Sequence, residues 1–277
     1  MTARRRRLVL LGTVALVVVA LFGTLFPIYW TVATAFKTAR DTFSIPPQLV
    51  PANPTLDNFA KVLANPEFMP TLITSVEITI ATTVLCVVIG GLAAYAVSRF
   101  RFPGAELLQS AILVLRILPA ITIIVPLYKI FGSLRLLDQL PVMVLVYTAL
   151  NLPFAVWLLV SFFAQLPLDL EEAALVDGAS RMQVLRLIVL PLSAPGIIAT
   201  GLFVAILAWN EFLIPIVLAT TNAKPLSVFV AGFIGSRTVE WGQLAAAASL
   251  AMLPIIVFSL IVQRYLVSGL TLGAVKE

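Results

Sequence analysis

Eleven consecutive positions, Leu170 to Ser180, read LEEAALVDGAS and hold three of the chain's thirteen acidic residues, so any acid–base chemistry is sought there first. An enzyme needs a converging nucleophile, metal or acid–base set. The chain has no histidine and a single cysteine, Cys86, which removes disulfides and the common zinc sites. No glycine is followed by lysine, so the phosphate-cradling G-x-x-x-x-G-K-[ST] loop is absent as well. The polar segment is therefore read as a mechanical element. Asp169 followed by Glu172 has the form of a capping box after Pro167, and Ser180 followed by Gln183 repeats that form after Gly178. This predicts a short helix from about Leu170 to Val176, a bend at Asp177 and Gly178, and a second helix leading away. Ala173 and Ala174 keep its surface shallow, while Leu170, Leu175 and Val176 offer apolar contacts. Such a surface is either a peg for a partner's groove or a solvated amphipathic loop with chance spacing.

A second set of polar residues falls inside apolar stretches: Glu77, Arg116, Asn210 and Glu211. A charge at mid-bilayer costs ~2.5–3.5 kcal/mol on insertion scales, so each should face protein or water. Arg116, Asn210 and Glu211 are candidates to line a water-filled pathway through the spans, where an arginine fork and an amide can hydrogen-bond a polar solute. The alternative is a structural ion pair or a lock between subunits.

The elements that must carry these residues are set by composition. Hydrophobic residues make up 61% of the 277 positions and charged ones 11%, against about 45–50% and 25% in a soluble domain. Charge-free runs cover Leu8 to Phe36, Ile78 to Ser98, Gln139 to Leu168, Leu187 to Asn210 and Trp241 to Gln263. Each exceeds the ~20 residues a helix needs to cross the hydrocarbon layer. Leu107 to Tyr128 is a sixth, interrupted by Arg116. The expectation is an all-α membrane protein with six transmembrane helices, because a lipid-facing backbone must satisfy its own hydrogen bonds. The net charge of +5 comes mostly from Arg4 to Arg7, directly before the first apolar run. That position argues for membrane orientation rather than nucleic-acid binding. The positive-inside tendency puts this block, both termini and the Leu166 to Gly196 loop in the cytoplasm. The first run is too long for a signal h-region, so a retained first helix is expected.

The outer segment from Lys37 to Pro70 is polar, rich in proline and expected to end in a short surface helix, Leu56 to Leu63. It is either a connector or a docking element. Prolines at 119, 126, 141, 153, 215 and 254 fall within the spans and suggest kinked helices around a pathway.

The spacing of Glu172-Ala173-Ala174, Asp177-Gly178-Ala179 and Ile188 to Pro191 closely resembles the signature loop of permease subunits in ATP-binding-cassette importers. AYAVSRFRFPG (Ala94 to Gly104), WNEFLIPIVL (Trp209 to Leu218), GLTLGAVKE (Gly269 to Glu277), Phe36-Lys37 and PTLDNFAKVL (Pro54 to Leu63) look like segments of the maltose-type sugar permeases, specifically the second of their paired membrane subunits. Thr74-Ser75 departs from the Asn-Ser usual in that group.

The resemblance implies a type I importer permease fold. It implies one permease domain over residues 1–277, with a first helix and outer segment (1–70), a core (71–264) and a tail (265–277). It also makes the loop between helices 4 and 5, with Leu170, Glu171, Glu172, Ala173, Ala174, Leu175, Asp177, Gly178 and Ala179, a coupling helix seated in an ATPase cleft. The implied partners are a second, homologous permease subunit in a heterodimer, two ATPase subunits that hold ATP and magnesium, and an extracytoplasmic solute-binding protein. The chain itself binds no cofactor in this reading and sits in a bacterial or archaeal-type cytoplasmic membrane. A non-sugar solute such as glycerol phosphate or an osmolyte stays open, and sparse acids without repeated halves argue against a secondary transporter. Transport assays of Arg116→Ala separate the roles of that residue. Direct sugar contact predicts weaker solute affinity with assembly intact, and unchanged affinity and selectivity would leave only the structural role.

Overall fold

A computed structural model describes residues 3–100, 103, 104, 111, 114, 119–235 and 239–271. Arg116, residues 107–110, 112, 113 and 115–118 of the expected third span, and the GAVKE tail lie outside the described residues. In chain order the helices are α1 (Ala3–Ala35), α2 (Ala39–Thr42), α3 (Asp57–Ala64), α4 (Phe68–Arg99), α5 (Ala120–Ser133), α6 (Leu140–Phe163), α7 (Leu168–Val176), α8 (Arg181–Val184), α9 (Leu190–Leu192), α10 (Ala194–Trp209), α11 (Pro215–Leu218), α12 (Leu226–Ala231) and α13 (Trp241–Thr271), with a π turn at Leu185–Val189 between α8 and α9. The only pairing of extended backbone among the described residues is one isolated bridge, Ile234 to Val239.

Four of these helices have apolar stretches long enough to cross a membrane: Leu10–Ala35, Phe68–Arg99, Leu140–Phe163 and Trp241–Ile261. The shortest, at 21 residues, spans about 31 Å at 1.5 Å per residue. The expected fifth span is a broken helix. Arg181–Leu192 and Ala194–Trp209 meet at Ser193 with a bend of 77°, where Pro191 and Pro195 each start a helical segment. Of the prolines expected to kink spans, Pro126, Pro153 and Pro254 are indeed helix-interior. Pro119, Pro141 and Pro215 instead sit at helix starts, where a missing N–H costs nothing.

Contacts divide the chain into two compact units, Met1–Phe68 with Val230–Met252, and Met69–Phe229 with Leu253–Glu277. In the first unit, every residue of α1 from Leu10 to Tyr29 is exposed. A helix apolar on all sides has no face suited to water. Its last turn is different. The Asn58 side-chain amide of α3 donates to the carbonyls of Ala35 and Lys37 at 2.9 and 2.8 Å, satisfying acceptors that the helix end leaves open. Lys37 is buried with its ammonium 4.0 Å from the Trp30 ring centroid. Burial pulls its pKa below the usual lysine value, and the nearby Asp41 carboxylate opposes that shift. A Cβ at Gly242 would lie 2.6 Å from the Asn58 amide, so glycine lets the start of α13 approach that cap.

In the second unit α6 is the central element, and its buried face runs from Val142 through Tyr147, Asn151 and Leu159 to Phe163. α4 lies close along α6: a Cβ at Gly90 would sit 3.4 Å from Ala155 Cβ, and the Cys86 thiol faces the Thr148 carbonyl at 3.7 Å. α10 packs on another side of α6, where Gly196 is so close that a Cβ would fall on the Phe162 ring. Interfaces of small residues allow this approach and replace the hydrophobic drive that lipid does not supply. Gly196→Ala should therefore lower the melting temperature of the detergent-solubilised protein, by an overpacking cost of about 1–3 kcal/mol. Adding Phe162→Leu should recover part of the loss.

Candidate functional site: the interhelical loop at α7 and the polar helix ends

The LEEAALVDGAS segment forms α7 and the turn after it. The helix begins at Leu168, two residues earlier than expected, with Pro167 as N-cap and no side-chain cap. Asp169 is consequently in the first turn, where a carboxylate favours the positive end of the helix dipole, rather than in a capping box. The turn is as expected: Gly178 has φ +87°, a conformation that side chains with a Cβ rarely adopt. Ser180 and Gln183 complete a capping box at α8 in both directions.

α7 has two unlike faces. Leu170, Glu172, Ala173, Val176, Asp177 and Gly178 are exposed, with Val176 at 87%. Leu175, Ala174 and Ala179 turn the other way and pack on a cluster of Tyr95, Leu159, Phe163, Val184 and Leu185. Glu171, four residues before Leu175, shares this inner face and is only 2% exposed. Its carboxylate meets Arg99 Nε at 2.7 Å and accepts from the Tyr95 hydroxyl at 3.3 Å, and Arg99 Nη2 donates to the Phe163 carbonyl at 2.7 Å. Adjacent acids thus have opposite surroundings, Glu171 paired inside and Glu172 in the open.

Of the candidate pathway residues, Asn210 and Glu211 stand side by side at the end of α10, and Arg116 lies outside the described residues. Asn210 caps α10, and its amide donates to the Ile206 carbonyl at 2.8 Å. Glu211 Oε1 accepts the backbone N–H groups of Leu213 and Ile214 at 2.9 and 3.2 Å. Trp209, two residues before Glu211, lines a cavity of about 360 Å³ with Val76, Thr79, Ile80, Thr83 and Phe258. Glu77 is exposed on α4. Ser75, in the Thr74-Ser75 pair, is buried and accepts the Leu226 N–H at 2.6 Å.

One polar site escapes sequence reading. Asp138, at φ +60° in the turn before α6, receives four consecutive backbone N–H groups from Thr220, Thr221, Asn222 and Ala223 at 2.9–3.1 Å, and the Asn222 side-chain amide as well. The sequence offers one signal, an Asp in a turn, because Asp tolerates the left-handed region; its partners lie more than eighty residues on. Burial pushes the Asp138 carboxyl up, but the backbone donors outweigh it and hold it well below the usual carboxylate range.

Helices long enough to span a bilayer, a broken helix among them, and a two-faced helix between two spans define a class: a multi-pass, all-α membrane protein. The chain belongs to the family of binding-protein-dependent transport system inner membrane components, whose family model matches residues 66–272. It is 40% identical over 258 residues to the trehalose transport system permease protein SugB of Mycobacterium tuberculosis, covering 91% of this chain and 92% of that one. To the trehalose/maltose transport system permease protein MalG of Thermococcus litoralis it is 37% identical, covering 98% and 97%. Its fold matches a chain of a bacterial ABC transporter involved in the import of the acidic polysaccharide alginate, with TM-score 0.81 at 22% identity over 96% of this chain and 99% of that one. The family resemblance read from the coupling-type loop and the flanking segments therefore holds.

Because the folded Asp138 pKa is depressed, its stabilisation is present above the unfolded value of about 4 and is lost as pH falls through the folded one. Melting temperatures measured from pH 6 down to about pH 3 should fall, and Asp138→Asn should flatten that fall. At neutral pH Asp138→Ala should cost about 1–3 kcal/mol by leaving the four N–H groups without their acceptor.

Proposed function

We propose that this chain is one of two membrane subunits of an ATP-driven, binding-protein-dependent sugar importer. The observation that carries the reading is α7, a short helix between two spans with its acidic and apolar inner face fixed and its shallow outer face free. That face has the form of a peg seated in the cleft of an ATPase subunit. The trehalose and maltose systems of its relatives support a sugar over the other solutes. In this reading α7 and both termini are cytoplasmic, and the arginine block at Arg4 to Arg7 supports that orientation.

The mechanism follows from what each side can do. This chain has no phosphate-binding loop, so ATP and magnesium are held by two partner ATPase subunits. Closure of the ATPase pair carries α7 and its counterpart on a homologous permease subunit with it. The two bundles then pass from inward-facing to outward-facing, a two-state element biased from both ends. The solute arrives from an extracytoplasmic binding protein. Arg116, Asn210 and Glu211 are the proposed solute contacts on this subunit, with Asn210 exposed at the end of α10 where a solute can reach it. Leu170, Glu172, Ala173, Val176 and Gly178 make the ATPase contact.

Copurification with an ATPase subunit is the first test, and solute movement by this chain alone in liposomes would reject the reading. Ala173→Glu puts a charge on the shallow face, and Gly178→Pro cannot adopt φ +87°. Each should lower ATP-dependent uptake by roughly tenfold or more, the size of an ordinary coupling term, with the spans still inserted. Normal uptake in both variants would refute the peg. Thermal stabilisation of the cognate binding protein by trehalose, maltose and other sugars would identify the solute class.

A further inference from the structure

The α7 helix is held by more than its apolar inner face. Arg99 is the last residue of α4, and Phe163 is the last residue of α6. One guanidinium reaches both Glu171 of α7, through Nε at 2.7 Å, and the terminal carbonyl of α6, through Nη2 at 2.7 Å. Tyr95, one turn before Arg99 on the same face of α4, takes the second Glu171 oxygen at 3.3 Å. The Arg99 and Glu171 side chains are 5% and 3% exposed. The ends of two spans and the interhelical helix thus meet at one planar, five-donor group that lysine cannot imitate.

A surface ion pair would be screened and would yield under load. A buried one that loses a partner leaves an uncompensated charge, so separation of α7 from either span is opposed at short range. The apolar contacts of Ala174, Leu175 and Ala179 resist separation too, but apolar packing is non-directional and lets a helix slide. The Arg99 fork fixes register as well as distance.

We propose that Arg99 and Glu171 are positioning residues that make α7, the end of α4 and the end of α6 move as one body, so that this pair sets how much solute is moved for each ATP hydrolysed. The inference rests on the functional reading above, in which force enters through the outer face of α7. Without the pair, α7 follows its ATPase while the spans lag behind.

The test uses the full transporter, this chain with its cognate permease, ATPase and binding-protein subunits, in proteoliposomes with solute uptake and ATP hydrolysis measured together. Arg99→Met with Glu171→Leu removes both charges and keeps apolar bulk, so neither partner is left buried alone. This double variant should bind the ATPase subunits and hydrolyse ATP near the wild-type rate, with uptake per ATP lowered by about tenfold. Arg99→Lys, which keeps the charge and loses the fork, should fall between the two. Assembled double variant with the wild-type ratio of uptake to hydrolysis overturns the proposal. If the double variant fails to assemble, the Arg99→Lys ratio decides alone, and a wild-type value overturns the proposal equally. The wild-type arm separates the two ideas: no ATP-dependent uptake there overturns the functional reading itself, whereas wild-type uptake with unchanged ratios in the variants overturns only the tie.

Discussion

The hydrocarbon layer forbids an unpaired backbone N–H or C=O, and most of this structure can be derived from that prohibition. Inside a span the helix pairs its own backbone, so side chains there are free to be apolar and small. At a span's end several carbonyls and N–H groups lose their partners, and polar side chains are concentrated there. Asn58 takes the carbonyls that end α1, and Arg99 takes the one that ends α6. Asp138 and Glu211 collect the N–H groups of the turns that follow α11 and α10, and Ser75 takes the first N–H of α12. Each is a long-range or local cap.

The same prohibition explains how the spans touch. Lipid tails compete on equal terms with leucine, so helices gain by approaching closely and by hydrogen bonding rather than by escaping a solvent. Gly90 against Ala155, Gly196 against Phe162, and Gly201 against Thr83 and Val87 are places where a missing or short side chain sets the distance between two spans. The break at Ser193 belongs here too. Two prolines and a π turn within a few residues disrupt the helical ladder where α9 gives way to α10, and the chain turns by 77°.

α7 joins these two themes. Its inner face repeats the caps of the span ends, with a carboxylate on an arginine, and its outer face is as shallow as the span interfaces. Two adjacent glutamates have opposite surroundings: Glu171 ties the helix to the bundle, and Glu172 stands on the exposed side. A surface that is both rigidly held and easily approached is what transmission of a movement requires.

Much of this was legible from composition and spacing. Long charge-free runs imply spanning helices because the cost of burying charge is local and additive, and the turn at Gly178 with its Ser180 capping box is readable because its partners are three residues apart. The family followed from a spaced motif within one loop, Glu172 to Pro191, and from further short segments that can each be read in place. What the sequence could not decide was which of two neighbouring glutamates turns inward, since that depends on Arg99 and Tyr95 more than seventy residues away. It could not place the partners of Asp138, or tell helix-starting prolines such as Pro141 and Pro215 from helix-interior ones such as Pro153. The physical division is one of range. Hydrophobicity and capping act within a turn or two and are written in the string, whereas ion pairs and close helix contacts join residues that only the tertiary fold brings within 3–4 Å.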